Sequence, residues 1–493
     1  MTLKKYVKYT FIIFNSILTF LLLLNFKANF IYILLFSILL NYYFIVSFQK
    51  KIYSIHFFLS FFFWIGFWLK LCLSNIEVTY SLHLFQPVGN FYENFYSTEN
   101  INYANKTLLV SIIGVSGFVL SLTIQKFFLV NQGHSIYQKR NFSGFQKFFD
   151  RYKNIIILLF VVSFILVSSF NYNHSIYQRG IIGENNINFF MLSVFKWLLL
   201  FGFTSFSAIL IFHSLSRKKF SIMLILISIL ENFVSSISML SRGMFVNTMA
   251  VIFGLYKHKS EKNEKLFSKK FIFIIFFGFI FFFLSISITN NLRSIKYSNY
   301  NNLENTGNFQ KSIKVLAENN FNIKKNINEV FIILSNRFVG LEQTFDVVKN
   351  SKDLNYKLLL KSFEEKKNFN RLTFFDEKIK KSKFHENQSL KNNKTYFINV
   401  PGIIAYLFYS GSYIFLFLST FFIGLILSFF EKLILFIFYN NYILSCLISQ
   451  TIAYRLNNFG YIPSNTYLIL STIIINLLVI FIVYAVSGKY FNK

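Results

Sequence analysis

The sequence predicts an all-α, polytopic integral membrane protein with about twelve transmembrane helices and one large loop on the outer face. Its 493 residues are 54% hydrophobic and 21% aromatic, which is more apolar than the surface of a soluble globular protein allows. The apolar residues form uncharged blocks long enough to cross a bilayer, such as residues 271–290. Positive charge is concentrated in the short segments between these blocks, as it is between membrane spans.

Twelve uncharged blocks are predicted as spans. They cover residues 9–24, 30–48, 53–73, 107–130, 154–170, 197–215, 220–236, 243–256, 271–290, 412–430, 433–453 and 466–486. The chain therefore divides into a membrane bundle of about nine spans over residues 1–290, the large loop over residues 291–400, and a second part of the bundle over residues 401–493.

The large loop has a patterned half and a polar half. Apolar residues spaced three and four apart predict an amphipathic helix near residues 326–348. Residues 351–394 are rich in Lys, Asn and Glu, which predicts a solvated helix or disorder with little chemistry. The uncharged run after the loop is too long for one span, so residues 403–409 are predicted to form a re-entrant or interfacial helix that ends near Gly411.

Lysine and arginine in the short loops predict the orientation. With the N-terminus inside, the inner segments hold most of these residues, including the run at 257–270, so both termini are expected to be cytoplasmic. The net charge of +30 is explained by this orientation, and nucleic acid is not an expected partner. Cys72 and Cys446 both lie in apolar blocks, which supports neither a disulfide framework nor a thiolate metal site.

Charges at the outer ends of the predicted spans are nearly all cationic. Positive charge should be scarce on this face, so each cation near the hydrocarbon boundary calls for a local reason. A bound diphosphate would supply one, because arginine grips phosphate with paired donors. The candidate anion-binding residues are Lys70, Arg179, Arg242, Arg293, Arg337 and Arg455. Snorkelling to lipid headgroups is the alternative for Lys70.

Arg242 stands in the tripeptide Ser-Arg-Gly at 241–243, between two short apolar segments that would form a hairpin. A guanidinium packed at such a tip should face a cavity or an anionic partner. Glu231, near the end of the preceding segment, could be that ion partner or a catalytic group. For Arg179, gripping phosphate and plain loop charge are both open.

Three residues are candidates for the general base that deprotonates an acceptor, in the order Glu342, His174 and Glu231. Glu342 lies five residues after Arg337 on the predicted loop helix, where a solvated, salt-linked helix is the alternative. His174 lies close to Arg179 in the sequence and could act as a general base near neutral pH, although a lone loop histidine is more often a polar surface residue.

Several absent patterns narrow the chemistry. No Asp-x-Asp pair, phosphate-cradling glycine-rich loop, His/Cys metal spacing or nucleophile elbow occurs in the sequence. Metal-assisted sugar transfer and a soluble nucleotide-fuelled enzyme are therefore unsupported, and neither a metal nor a cofactor is expected.

The dozen spans, the large outer loop late in the chain, the Ser-Arg-Gly tip at Arg242 and the run from Gly402 through Gly411 to Gly424 resemble the O-antigen polymerases, the Wzy-type oligosaccharide repeat-unit polymerases. This resemblance implies a bacterial inner-membrane enzyme with a periplasmic loop. It would transfer a glycan from its polyprenyl diphosphate carrier onto another carrier-linked repeat unit. The family's outer-face arginines would correspond to Arg179, Arg242 and Arg337.

The resemblance also implies the partners. They are the polyprenyl-diphosphate-linked donor and acceptor, membrane lipid, and, as further candidates, chain-length regulator and flippase proteins. The alternatives are an O-antigen ligase, whose loop histidine would have to be His385, a polysaccharide flippase or transporter without catalysis, and a sensor or structural membrane protein. A flippase gains nothing obvious from a loop of this size.

Overall fold

The structure, a computed structural model, describes the chain except for residues 1–2, 27, 50–51, 81–94, 132–142, 182–187, 217–221, 242, 244–245, 263–268, 302–337, 351–352, 367–371, 381–397 and 492–493. The α-helices in the described part are α1 (Leu3–Asn25), α2 (Phe30–Ser47), α3 (Ser54–Phe63), α4 (Lys70–Tyr80), α5 (Ile101–Asn131), α6 (Ser143–Asn173), α7 (Phe189–Trp197), α8 (Phe203–Ser216), α9 (Ile222–Ser238), α10 (Val246–Glu261), α11 (Lys269–Asn301), α12 (Leu341–Lys349), α13 (Tyr356–Ser362), α14 (Ile403–Leu407), α15 (Tyr413–Ile437), α16 (Tyr442–Asn457) and α17 (Thr466–Phe491). Three π-helices accompany them, π1 (Trp64–Leu69) between α3 and α4, π2 (Leu198–Gly202) between α7 and α8, and π3 (Phe375–Lys380) in the large loop.

The chain is a polytopic membrane protein. Eight helical stretches among the described residues are long and apolar enough to cross a bilayer, and the apolar helices Tyr9–Asn25 and Ile222–Ser238 are shorter. Large apolar side chains such as Phe422 and Ile426 on α15 are exposed, as lipid-facing residues are. Every one of the twelve predicted spans overlaps an α-helix in this bundle.

Small residues allow the central helices α5 and α15 to pack closely. Gly117 on α5 leaves no room for a Cβ atom beside Thr420 and the Phe417 carbonyl of α15, and Gly424 on α15 lies equally close to Ser121. Such contacts supply much of the association of helices in lipid, where the hydrophobic effect between them is weak.

A buried carboxylate caps helix α3. Glu431 near the end of α15 accepts hydrogen bonds from the backbone nitrogens of Ser54 at 2.8 Å and Ile55 at 2.7 Å. Lys257 donates to the Ile52 carbonyl at 2.7 Å and to the Ser54 hydroxyl at 3.0 Å. The negative charge therefore stands at the positive end of the α3 dipole, where it satisfies orphan backbone donors.

The first described part of the large loop is built into the core of the bundle. Phe338 and Leu341 are buried, and the Phe338 ring stacks on Phe62 of α3 at 5.7 Å. The chain is not helical at residues 338–340, and α12 begins only at Leu341. The prediction of one helix near residues 326–348 is therefore wrong over 338–340, while residues 326–337 lie outside the described residues.

The prediction of a solvated helix or disorder over residues 351–394 holds for α13, most of whose residues are exposed, but it misses the contacts that the described parts of this segment make with the rest of the protein. Helix α13 docks on α14 through a 2.7 Å hydrogen bond between the hydroxyls of Ser362 and Tyr406. Glu365 accepts hydrogen bonds from the backbone nitrogens of Phe374 and Ile462, both at 2.8 Å. The polar composition hid these contacts because carboxylates that bind backbone N–H groups look like surface charge in a sequence.

The short helix after the loop is confirmed as a helix that ends at Gly411. It consists of α14 and one 3₁₀ turn over Phe408–Ser410, and all its side chains are buried. Gly411 closes it in the left-handed region at φ +70°, which glycine adopts without strain.

The close approach of the loop to π1 makes Gly66 a testable position. A Cβ atom there would lie 2.5 Å from the Val339 carbonyl oxygen, so Gly66→Ala should undock the loop and destabilise the fold by about 1–3 kcal/mol. Thermal unfolding and limited proteolysis of the loop measure this. Gly278→Ala is the control, because its Cβ would meet only the flexible Ile252 Cδ1 at 3.2 Å. Equal unfolding midpoints for the two variants would contradict the docking.

Candidate functional site

A cleft lies at the end of the bundle from which the large loop leaves. Its cavity volume is about 60 Å³, and it is partly open to the outside. We call it the cationic cleft. The lining residues are Arg179, Leu200, Phe201, Ser241, Gly243, Asn247, Gln450, Thr451, Tyr454, Arg455, Ile469 and Thr472.

Two arginines far apart in the sequence meet in this cleft. Arg455 lies in the last turn of α16, and Arg179 lies in the turn that follows α6. Arg455 hydrogen-bonds the Tyr177 side chain, and the Arg179 charge is close enough to repel it. No carboxylate is found among the described lining residues. Two like charges facing one cleft favour the binding of an anion between them.

Local contacts hold the Arg179 turn (residues 174–181) in place. The Asn171 amide nitrogen donates to the Tyr177 carbonyl at 3.2 Å and to the Ser238 hydroxyl at 2.8 Å. The Arg179 backbone nitrogen donates to the Met239 carbonyl at 2.9 Å. The turn is therefore fastened to the end of α9, close to the Ser-Arg-Gly tip.

The remaining polar groups of the cleft come from α10, α16, α17 and the tip. The Asn247 side chain donates to the Leu200 carbonyl at 2.8 Å and so joins two lining segments of the cleft. The buried oxygens Ser241 Oγ and Gln450 Oε1 accept or donate no hydrogen bond within the described part of the protein. Buried polar atoms of this kind are available to a ligand.

In comparisons with known proteins, no family model, curated protein or solved structure matches this chain. Only the lining residues therefore indicate what the cleft can bind.

Two of the predicted anion-binding residues, Arg242 and Arg337, lie outside the described residues. Both neighbours of Arg242, Ser241 and Gly243, line the cationic cleft. Phe338, which follows Arg337, stacks on Phe62, whose ring in turn contacts the ring of Tyr454 at 5.8 Å.

Arg293 does not line the cleft, although it was predicted to bind the anion. It extends from the loop end of α11, and its Nη2 donates to the Arg179 carbonyl at 2.9 Å. Arg293 therefore contacts the backbone of the Arg179 turn and is not part of the cleft lining.

Lys70 and Glu342 also lie outside the cleft lining, and the structure pairs them with each other. Lys70 Nζ is 3.1 Å from Glu342 Oε2, and Lys70 is buried. Lys380 Nζ of π3 is 3.7 Å from both Glu342 and Asp346. Burial raises the pKa of Asp346 to about 7, although the Lys380 charge acts to lower it. This cluster fastens the loop to α4, which is a structural task that the sequence did not indicate.

Neither of the other two candidate bases lines the cleft. Glu231 on α9 is buried and accepts hydrogen bonds from the hydroxyls of Thr204 at 3.1 Å and Ser235 at 3.0 Å. His174 is exposed, and its ring lies against Phe170 with 4.3 Å between centroids.

An apolar groove with a cavity volume of about 520 Å³ lies next to the cationic cleft along α17. It is formed by α6, the π2 region and α17, and its lining includes Phe160, Phe203 and Val479. The two sites have no lining residue in common, but both use α17: Ile469 and Thr472 line the cleft, and the next turns line the groove.

Sequence reasoning missed Lys296 and Glu365. Lys296 lies three residues after Arg293 on one face of α11, a spacing that could have marked it. Glu365 lies in the polar half of the loop and binds the turn between α16 and α17. Burial raises the pKa of Glu365, and no local signal distinguishes it from the surface glutamates around it.

Proposed function

We propose that this protein is a metal-independent membrane glycosyltransferase that polymerises polyprenyl-diphosphate-linked oligosaccharide repeat units into a surface polysaccharide. The observation that carries the proposal is the meeting of Arg179 and Arg455 in one cleft beside an apolar groove. A polyprenyl diphosphate has this same division, with two anionic phosphate groups joined to a long hydrocarbon chain.

The reaction needs a site of this kind. The bond between the sugar's anomeric carbon and the diphosphate oxygen breaks, a bond to the acceptor hydroxyl oxygen forms, and the hydroxyl proton leaves. Negative charge develops on the departing diphosphate, and fixed arginines stabilise that charge in the transition state. Glu342, His174 and Glu231 remain the candidate bases, and none of them lines the cleft in its described part.

The apolar groove suits the hydrocarbon chain of the proposed substrate. Its walls at Phe160, Phe203 and Val479 are apolar, and it opens between helices that carry exposed hydrophobic residues. A chain lying there would bring its diphosphate to the neighbouring turns of α17, where Thr472 lines the cationic cleft. Burial of hydrocarbon gives binding free energy without demanding a fixed geometry.

The docked loop favours an enzyme over the flippase alternative. Described loop residues contact π1 through Val339 and contact the α16–α17 turn through Glu365. These contacts join early and late parts of the bundle, whereas alternating access requires two halves of a transporter to rock against each other. His385, on which the ligase alternative depends, lies outside the described residues.

The proposed setting is the bacterial inner membrane, with cytoplasmic termini and the large loop in the periplasm. The distribution of lysine and arginine in the short loops supports this orientation. The cationic cleft would then face the periplasm, where carrier-linked repeat units are presented.

Reconstitution tests the proposal. Purified protein in lipid nanodiscs, given polyprenyl-diphosphate-linked repeat units, should produce a ladder of longer glycans, and the ladder should persist when a metal chelator is added. Failure to extend the glycan would indicate transport or another role. Loss of the ladder with chelator would indicate a metal enzyme, and transfer only onto a lipid core acceptor would indicate a ligase.

A further inference from the structure

Helix α11 extends past its apolar stretch at the loop end. This extension brings two cations, Arg293 and Lys296, into contact with the Arg179 turn. The apolar stretch ends at Arg293, and Lys296 stands one helical turn further on. The spacing of three residues puts both side chains on one face of the helix. Neither residue lines the cationic cleft.

Lys296 donates three hydrogen bonds to the end of α6 and to the Arg179 turn. Its Nζ donates to the Tyr172 carbonyl at 3.2 Å, the Ser175 hydroxyl at 3.0 Å and the Gln178 side-chain oxygen at 3.0 Å. These contacts match the three donors of an ammonium group. The charge also lies 4.4 Å from the centre of the Tyr172 ring.

The three acceptors of Lys296 are neutral, so among the described residues the charge is held by dipoles rather than by an ion pair. Burial lowers the pKa of Lys296 to about 8, which reflects the cost of removing the ammonium from water. Arg293 completes the arrangement by donating to the carbonyl of Arg179 itself. Arg293 thus holds the backbone of Arg179 directly, and Lys296 holds the residues before it.

We propose that Lys296, assisted by Arg293, is a positioning residue that holds the Arg179 turn so that the Arg179 guanidinium faces the phosphate groups of a prenyl diphosphate in the cleft. This inference rests on the proposed function. Lys296 acts through the turn and does not touch the ligand. If the turn were mobile, the guanidinium would adopt many orientations. Ligand binding would then have to order it, and the lost conformational entropy would weaken the affinity.

A double-mutant cycle tests the positioning role with radiolabelled farnesyl diphosphate as the probe and the full chain in nanodiscs. Lys296→Met keeps the length of the side chain and removes its charge, and it should weaken binding about tenfold, the effect of one charge-assisted contact. Arg179→Gln should weaken binding at least about 30-fold. In the Arg179→Gln background, Lys296→Met should have little further effect, because the two residues act in series.

Lys269→Met is the matched control, since Lys269 is exposed at the opposite end of the same helix. If Lys296→Met fails to fold, Ser175→Gly removes one acceptor and suits the positive φ of 48° at that position. It should weaken binding less, and again only when Arg179 is present. Equal losses in both backgrounds, or no loss with Arg179 present, would overturn the positioning role and leave the proposed function standing. No binding of farnesyl diphosphate by the unmodified protein would overturn both.

Discussion

Replacing Arg179 or Arg455 by glutamine is expected to reduce glycan chain growth about 100-fold in each case, the usual cost of removing one fixed donor that stabilises developing negative charge. Glutamine keeps much of the side-chain length and some hydrogen bonding, but it cannot balance the charge of a departing diphosphate. Cells with either variant should display mostly single repeat units. The measurement is the rate of ladder formation by purified protein, with surface glycan length as the cellular readout.

The same variants separate function from folding. Arg179 and Arg455 repel each other in the cleft, so removing one charge relieves repulsion in the ligand-free protein. We therefore expect the thermal unfolding midpoints of the variants to stay within a few degrees of the unmodified protein. Residues that lose activity without losing stability are typical of a binding site.

Arg151→Gln is the control for charge removal. Arg151 is exposed on α6 at the end of the helix away from the cleft, where its guanidinium lies 5.5 Å from the Tyr152 ring. Chain growth should be normal in this variant. Normal chain growth in Arg179→Gln and Arg455→Gln as well would remove the cationic cleft as the diphosphate site.

Glu431→Gln is expected to destabilise the bundle by about 3 kcal/mol or more, within the range for breaking a buried charged contact. The carboxylate oxygens accept from the backbone nitrogens of Ser54 and Ile55 and from the Ser445 hydroxyl. Glutamine offers only one acceptor oxygen, and its NH₂ group would face a backbone N–H donor. One buried donor would lose its partner, and the α3 dipole would lose its negative charge.

The measurement is the thermal unfolding midpoint in detergent together with the amount of protein in membranes. Glu377→Gln provides the control, because Glu377 is 54% exposed and contacts the neighbouring Lys378. Exposed pairs of this kind contribute little to stability. A midpoint for Glu431→Gln no lower than that of the control would show that the cap on α3 is dispensable.

The sequence predicted the helical bundle well because hydropathy reports how each segment is solvated. All twelve predicted spans overlap helices, and the helix after the loop ends at Gly411 as its pattern indicates. The cationic residues at the span ends were also visible, and Arg179 and Arg455 do line one cleft. Their role as anion ligands stays a prediction.

The sequence alone did not reveal which charges would pair. Lys70 and Glu342 were assigned to different roles, yet they lie 3.1 Å apart across 272 positions of the chain. The spacing of apolar residues predicts that the loop helix continues through residues 338–340. In the structure the backbone is not helical there, and Val339 contacts Gly66 instead. Spacing reports periodicity, and packing across the bundle overrides it.

What the sequence by itself determined is therefore the all-helical fold and which segments are apolar enough to lie in a membrane. The tertiary structure decided which lysines are buried or half-buried and what they contact. Lys257, Lys296 and Lys70 resemble the many surface lysines of this basic chain, but one supports α3, one holds the Arg179 turn and one fastens the loop. The physical reason is that a buried charge is stable only with partners at fixed distances, and those partners come from remote helices.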